Sequence, residues 1–331
     1  MRRAFLALLL ALMCLAPHGY AQETEDHSVD GRMQRLSVLS QRDEAIGALT
    51  YHHATVQRRG CMPVSVVNGL IASFGVTDRE TAVGLVQETL SLLVPRGSRG
   101  KAPVDLQSLP GLLDPALRAD ERETYPNLAE TVGAYPGDVC VTQARLSAQE
   151  VLERLDGAQT PLMFVSRMAV HPDWTDAVEF LMALHEMGLD DATLCLACAG
   201  AGTETSGAPL RSGKSGHYLT VFFHVGTFAE SGTVYVLDSL PRALAGEPYA
   251  PYGQADEVHA QYPFVYDSPG CAFNQNFEAA RISPTVIKLS LTQTALEALR
   301  AEPEETALAQ RVRLMKPLIL FGPCVMMLSL P

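Results

Sequence analysis

Two apolar runs late in the chain set the pattern from which its fold is read. Gly216-His217-Tyr218-Leu219-Thr220-Val221 and Val234-Tyr235-Val236-Leu237-Asp238-Ser239 are rich in β-branched and aromatic residues, and Gly226 to Thr233 between them is polar with two glycines. That pattern predicts a hairpin. In an antiparallel hairpin the start of one strand lies beside the end of its partner. His217, which opens the first run, and Asp238, which closes the second, are therefore expected to meet at one sheet edge. An imidazole beside a carboxylate has a fixed tautomer and a stabilised charged form, as a general base requires. A solvated strand end is the other reading of the same two residues.

Helical spacing appears upstream. After Cys61, Val64, Val67, Leu70, Ile71 and Phe74 recur at helical intervals, with Pro63 in the first turn and Gly75 as a stop. Cys61 thus falls at or just before the N-terminus of a largely buried helix, where the dipole and unbonded N–H groups favour thiolate over thiol. Further helices are expected over Asp78–Leu93, Ser147–Leu155 behind a capping box, Asp173–Met187 and Gln293–Arg311. A broken helix, interrupted by two prolines, is expected over Leu106–Leu117. Strands are expected over Pro161–Val165, Thr193–Ala199, Thr285–Leu291 and Leu318–Phe321 with Val325–Leu328. Mixed helix and strand, with no internal repeat and no linker, predict one α+β domain with long loops over residues 46–331. Residues 23–45 are polar and are expected to be mobile.

Residues 1–22 read differently. Arg2 and Arg3 precede an apolar run from Ala4 to Ala16, then Pro17 and Gly19-Tyr20-Ala21. A basic start, a short apolar run and small residues at the end describe a cleavable secretory signal, and the run is too short for a membrane anchor. The expectation is a secreted or periplasmic protein with no stable membrane anchor. Losing that segment removes two of 25 basic residues and no acidic ones, so the net charge moves from −12 to −14 (23 minus 37). This balance repels nucleic acid and argues against it as a partner. A hydrophobic content of 47% supports a substantial core.

Cys61, Cys140, Cys195, Cys198, Cys271 and Cys324 remain after the signal. An exported chain permits disulfides, and six cysteines allow fifteen full pairings. Cys195-Leu196-Ala197-Cys198 lies in a strand candidate before a Gly-rich loop, which suits neither a redox motif nor a zinc site. His52-His53 and His185-Glu186 lack metalloprotease spacing, so no metal or other cofactor is expected. Gly200 to Gly216 contains Gly-Lys-Ser but leads into a strand, and is no phosphate loop.

A cysteine opening a helix at Cys61-Met62-Pro63-Val64-Ser65 with Asn68, then Gly216-His217-Tyr218, then Val236-Leu237-Asp238-Ser239, resembles the papain-like cysteine peptidases, and within them the bacteriocin-processing branch. The resemblance rests on these three patches. It implies a papain-like α+β fold, with an N-terminal helical part and a central Cys-bearing helix packed on an antiparallel β-sheet. It also implies Cys61 as nucleophile, His217 as base and then acid, and Asp238 as orienter, acting on a peptide or protein substrate. The family places an oxyanion-hole Gln six residues before the cysteine, where this chain has Thr55; Gln57, four before, is the candidate here. The hairpin also resembles that of the SUMO-protease and adenain-like peptidases, in which Cys271 would be the nucleophile. Two functions from different classes follow: an exported thiol hydrolase or acyl transferase, and a non-catalytic exported binding or structural protein with paired cysteines.

Overall fold

A computed structural model of the protein describes residues 26, 28–51, 54–92, 123–142, 153, 162–169, 175–201, 217–240, 276–301, 320–321 and 323–330. The signal segment, the broken helix, the capping box, most of the Gly-rich loop, His52-His53 and Cys271 lie outside the described residues.

Among the described residues, nine strands make one sheet. Its members are β3 (Asp138–Thr142), β4 (Leu162–Ala169), β5 (Thr193–Ala201), β6 (His217–His224), β7 (Val234–Asp238), β8 (Phe277–Ser283), β9 (Val286–Leu291), β10 (Leu320–Phe321) and β11 (Pro323–Leu330). The order is β3-β4-β11-β5-β6-β7-β9-β8, with β10 on β5, and every pairing but β3 with β4 is antiparallel. A separate two-stranded ribbon joins β1 (Thr50–Tyr51) to β2 (Ala54–Thr55). The protein is thus α+β with an antiparallel-rich sheet.

The expected hairpin forms as β6 and β7, but the polar stretch between them is a helix. It buries Val225 and Phe228, His224 caps its start by accepting the Thr227 N–H, and Gly232 ends it at φ +62°. Gly there satisfies the left-handed cap, which a reading of polarity alone takes for a loop. β3 and β8 are strands that the apolar pattern does not signal. Both are partly exposed, and they stand at the two ends of the strand order.

Both sheet faces are covered, which is why β6 and β7 read as nearly unbroken apolar runs. Leu219, Val221, Phe223, Val234 and Val236 face a layer that includes α7 (Thr175–Glu186) and α8 (Val225–Ser231). Phe222, Tyr235 and Leu237 face the opposite layer, built on α4 (Cys61–Phe74). Every residue of α4 from Met62 to Ser73 is buried, and the helix ends at Gly75, φ +72°, whose N–H reaches the Ile71 carbonyl. A helix apolar on all sides has no solvent face and must be enclosed. α5 (Arg79–Leu92) and α6 (Pro126–Gly133) complete the enclosure, the Glu88 carboxylate on α5 accepting the N–H groups of Asn127 and Leu128 that open α6.

The N-terminal segment departs from its expectation of mobility. From Ser28 it forms α1 (Val29–Arg35) and a strap that runs antiparallel to α4, toward its cysteine end. Arg32 Nη2 donates to the Ala72 carbonyl near the end of α4 and stacks over Phe222 at 5.5 Å; burial lowers its pKa. Asp30 accepts from Tyr235 Oη and Lys288 Nζ, both at 2.7 Å, on β7 and β9. Further along, the Asn68 side chain takes the Leu39 N–H (2.9 Å) and gives to its carbonyl (3.0 Å). Met33, Leu39 and Ile46 are sealed in the core, and full burial of such a side chain contributes roughly 1.5–3 kcal/mol. A few well-spaced apolar residues anchor an otherwise polar segment.

α4 lies unusually close to the sheet at Gly69, where an added Cβ would stand 2.3 Å from Ala197 Cβ. Gly69→Ala gains up to about 1 kcal/mol of helix propensity, but the overlap forces the layers apart at a cost of about 1–3 kcal/mol. The expected result is a net fall in stability, read as a lower urea midpoint; an unchanged or higher midpoint contradicts this packing.

Candidate active site

Cys61 is the first residue of α4, but the helical path begins earlier. α3 (Val56–Arg59) runs into it through Gly60, whose N–H reaches the Val56 carbonyl (2.6 Å) and whose carbonyl accepts from Val64 (3.0 Å). A Cβ on Gly60 would lie 2.5 Å from Val56, so only glycine fits this junction. Cys61 is partly exposed and carries a thiol. One turn on, fully buried Ser65 places its Oγ 2.7 Å from the Cys61 carbonyl and 2.6 Å from that of Tyr218. The Thr220 hydroxyl donates to the Ser65 carbonyl at 2.6 Å. The first turn of the cysteine helix therefore sits directly on the start of β6.

His217 opens that strand, in register with Ala201 of β5. Its side chain lies outside the described part of the structure. Asp238 closes β7 opposite Leu219, two residues along β6 from His217, so the two positions form a diagonal cross-strand pair. The Asp238 carboxylate is fully buried and accepts the Leu240 N–H at 2.8 Å. Strand alternation puts Asp238 in the row of Val234 and Val236, on the α7 side, whereas Cys61 belongs to the α4 side. The two chemistries are brought toward each other only at the strand ends, around Tyr218 and Ser239. There Ser239 Oγ also donates to the Tyr218 carbonyl, at 2.8 Å.

Gln57 stands on α3, one turn before Cys61, with an exposed side chain. Its carbonyl is taken by Gln41 Nε2 at 2.8 Å. Gln41 is buried, its own N–H donates to the Ser239 carbonyl at 2.7 Å, and its Oε1 is enclosed with no hydrogen-bond partner among the described residues. Gln41 thus staples the turn before Cys61 to the residue after Asp238. Sequence reasoning missed it, because it lies in a polar stretch with only scattered apolar residues such as Met33, Leu36, Val38 and Leu39.

The other thiols differ in environment. Cys195 is buried beneath α4, 3.7 Å from the Gly69 carbonyl, and burial pushes its thiol up to about 12. Cys140 is exposed on the edge strand β3. Exposed His185 pairs with Asp190. Among the described residues no group of three or more His, Cys, Asp or Glu side chains is placed to hold a metal ion, and no helix is long and apolar enough to cross a membrane.

Comparison with protein-family models, curated proteins and solved structures finds no match to this chain.

The thiol environments set an expected labelling order. Burial pushes the Cys195 thiol up to about 12, so very little of it is thiolate at pH 8, and the thiolate is the reactive form. Under native alkylation at that pH, peptide mass spectrometry should find Cys140 modified quickly and Cys195 only after denaturation. Fast native labelling of Cys195 would contradict its placement.

Proposed function

We propose that this chain is an exported thiol hydrolase, a cysteine peptidase or related acyl transferase of papain-like architecture, acting on a peptide or isopeptide amide. The observation that supports it best is the seating of the Cys61 helix on the strand that His217 opens. Ser65, one turn from Cys61, and Ser239, next to Asp238, meet on the carbonyl of Tyr218, next to His217. Export rests on the signal-like residues 1–22.

In this reading His217 takes the Cys61 proton, and the thiolate attacks the carbonyl carbon. The C–N bond breaks as the imidazolium returns that proton to the leaving amine, and a thioester remains on Cys61. Water then cleaves the thioester in a hydrolase; an amine does so in an acyl transferase. Asp238 orients the imidazole and offsets its charge. The Cys61 N–H is one oxyanion donor and Gln57 the candidate second, a donor of this kind contributing about 3–4 kcal/mol to the transition state. Gln57 side-chain exposure requires bound substrate to draw it in.

A peptidyl epoxide probe followed by adduct mapping tests this reading. The expected adduct is on Cys61, absent in Cys61→Ser, and formed at least about 100-fold more slowly in His217→Ala. An adduct on Cys271 that survives Cys61→Ser moves the nucleophile to the adenain-like arrangement. No adduct on either residue leaves the non-catalytic binding protein as the better account.

A further inference from the structure

The first turn of α8 is held by acceptors of two kinds. Val225 N–H donates to the Ala192 carbonyl and Gly226 N–H to the Asp190 carbonyl, both at 2.9 Å. Thr227 N–H donates to Nδ1 of His224 at 3.3 Å, and the Thr227 hydroxyl stands 3.0 Å from the same nitrogen. A backbone carbonyl accepts at any pH. An imidazole nitrogen accepts only while it is bare, and in the charged ring both nitrogens are donors. A backbone N–H can only donate, so the Thr227 contact fixes the neutral ring with its proton on Nε2.

The surroundings favour that neutral ring. Burial lowers the His224 pKa and outweighs the opposing pull of Asp191 and Asp190, with Arg32 of α1 adding to the lowering. Both aspartates lie in the turn from α7 to β5, which also supplies the two backbone acceptors. His185, in the last turn of α7, pairs with the Asp190 carboxylate. The start of α8 sits close on this turn: a Cβ on Gly226 would stand 3.1 Å from Asp190 Cβ. Protonation reverses the Thr227 contact. The ring then turns an N–H toward an N–H, and its charge lies at the positive end of the helix dipole, where a cation is unfavourable.

We propose that the start of α8 is a pH-sensitive switch: neutral His224 locks the helix between β6 and β7, and the charged ring releases its first turn. A group that the fold keeps neutral contributes stability that is complete above its unfolded pKa, about 6.5 for His, and is lost as pH falls through its lower folded pKa. Mild acid therefore loosens α8. Phe228 remains packed in the core on the α7 side, which confines the change to the connection and leaves the sheet paired. The switch involves neither Cys61 nor His217 and stands apart from the thiol-hydrolase reading.

Amide hydrogen exchange of the full chain from about pH 7.5 to about pH 4.5 tests the switch, with protection expressed against the intrinsic rate at each pH. Peptides covering α8 are read against peptides covering α4. In the wild type, α8 protection should fall about 3- to 30-fold, the range of a lost N-cap, through a midpoint below the ordinary His value, while α4 is unchanged. His224→Asn, whose side-chain oxygen accepts at every pH, should hold its protection into acid. His224→Ala should show the low, acid level of protection across the whole range. Asp190→Asn and Asp191→Asn together should move the midpoint further down. Wild-type α8 protection that does not vary with pH overturns the proposal. So does a His224→Asn chain that loses protection along the wild-type profile, and so does a fall shared equally by α4, which is global acid unfolding.

Discussion

The close seat of α4 on β5 and β6 is the constraint on which the rest of the arrangement depends. Gly69 has no side chain, so the helix axis can drop onto Ala197, and the contact is too tight for even one more methyl group. That closeness brings Ser65 within hydrogen-bond distance of a strand carbonyl and Thr220 within reach of the helix backbone. It also encloses Cys195, whose thiol is driven up to about 12 and stays inert. A helix further from the sheet would break both helix-to-strand bonds, Ser65 to Tyr218 and Thr220 to Ser65.

The N-terminal strap reinforces the same seat from the other side of the helix. Arg32 holds the end of α4, Asn68 holds Leu39, and Gln41 ties the turn before Cys61 to the residue after Asp238. A chain that begins the described fold at Ser28 therefore reaches the candidate site by Gln41, along the full length of α4. The enclosed Oε1 of Gln41, which has no donor among the described residues, is a cost borne inside this staple, since a buried acceptor without a donor forgoes about 1–3 kcal/mol.

Much of this was legible in the sequence where periodicity was strong. The run from Val64 to Phe74 with Gly75 after it predicts α4 closely, and the apolar runs around Leu219 and Val236 predict β6 and β7. The Asp173–Met187 pattern likewise predicts α7. Where a few apolar residues act through tertiary contacts, local pattern fails. Met33 and Leu39 order a polar segment, Phe228 turns a polar connection into a helix, and the alternation in half-exposed β3 and β8 runs over too few residues to stand out. At the site, Cys61, His217 and Asp238 could be singled out by residue type and element position. The face on which each residue stands could not, because the register of β6 against β7, with Leu219 opposite Asp238, depends on the helix that replaces the expected loop. Gln41 carried no signal at all, since its role comes from what the strap meets in space.

The central claim is that Cys61 and His217 form one ionisable pair at the end of the sheet. The most direct measurement is the titration of the His217 ring by NMR in the wild type and in Cys61→Ala. A thiolate beside the imidazole stabilises its charged form, so His217 should titrate well above the ordinary value of about 6.5 in the wild type and fall back toward it in Cys61→Ala. The same midpoint in both proteins would contradict the pairing.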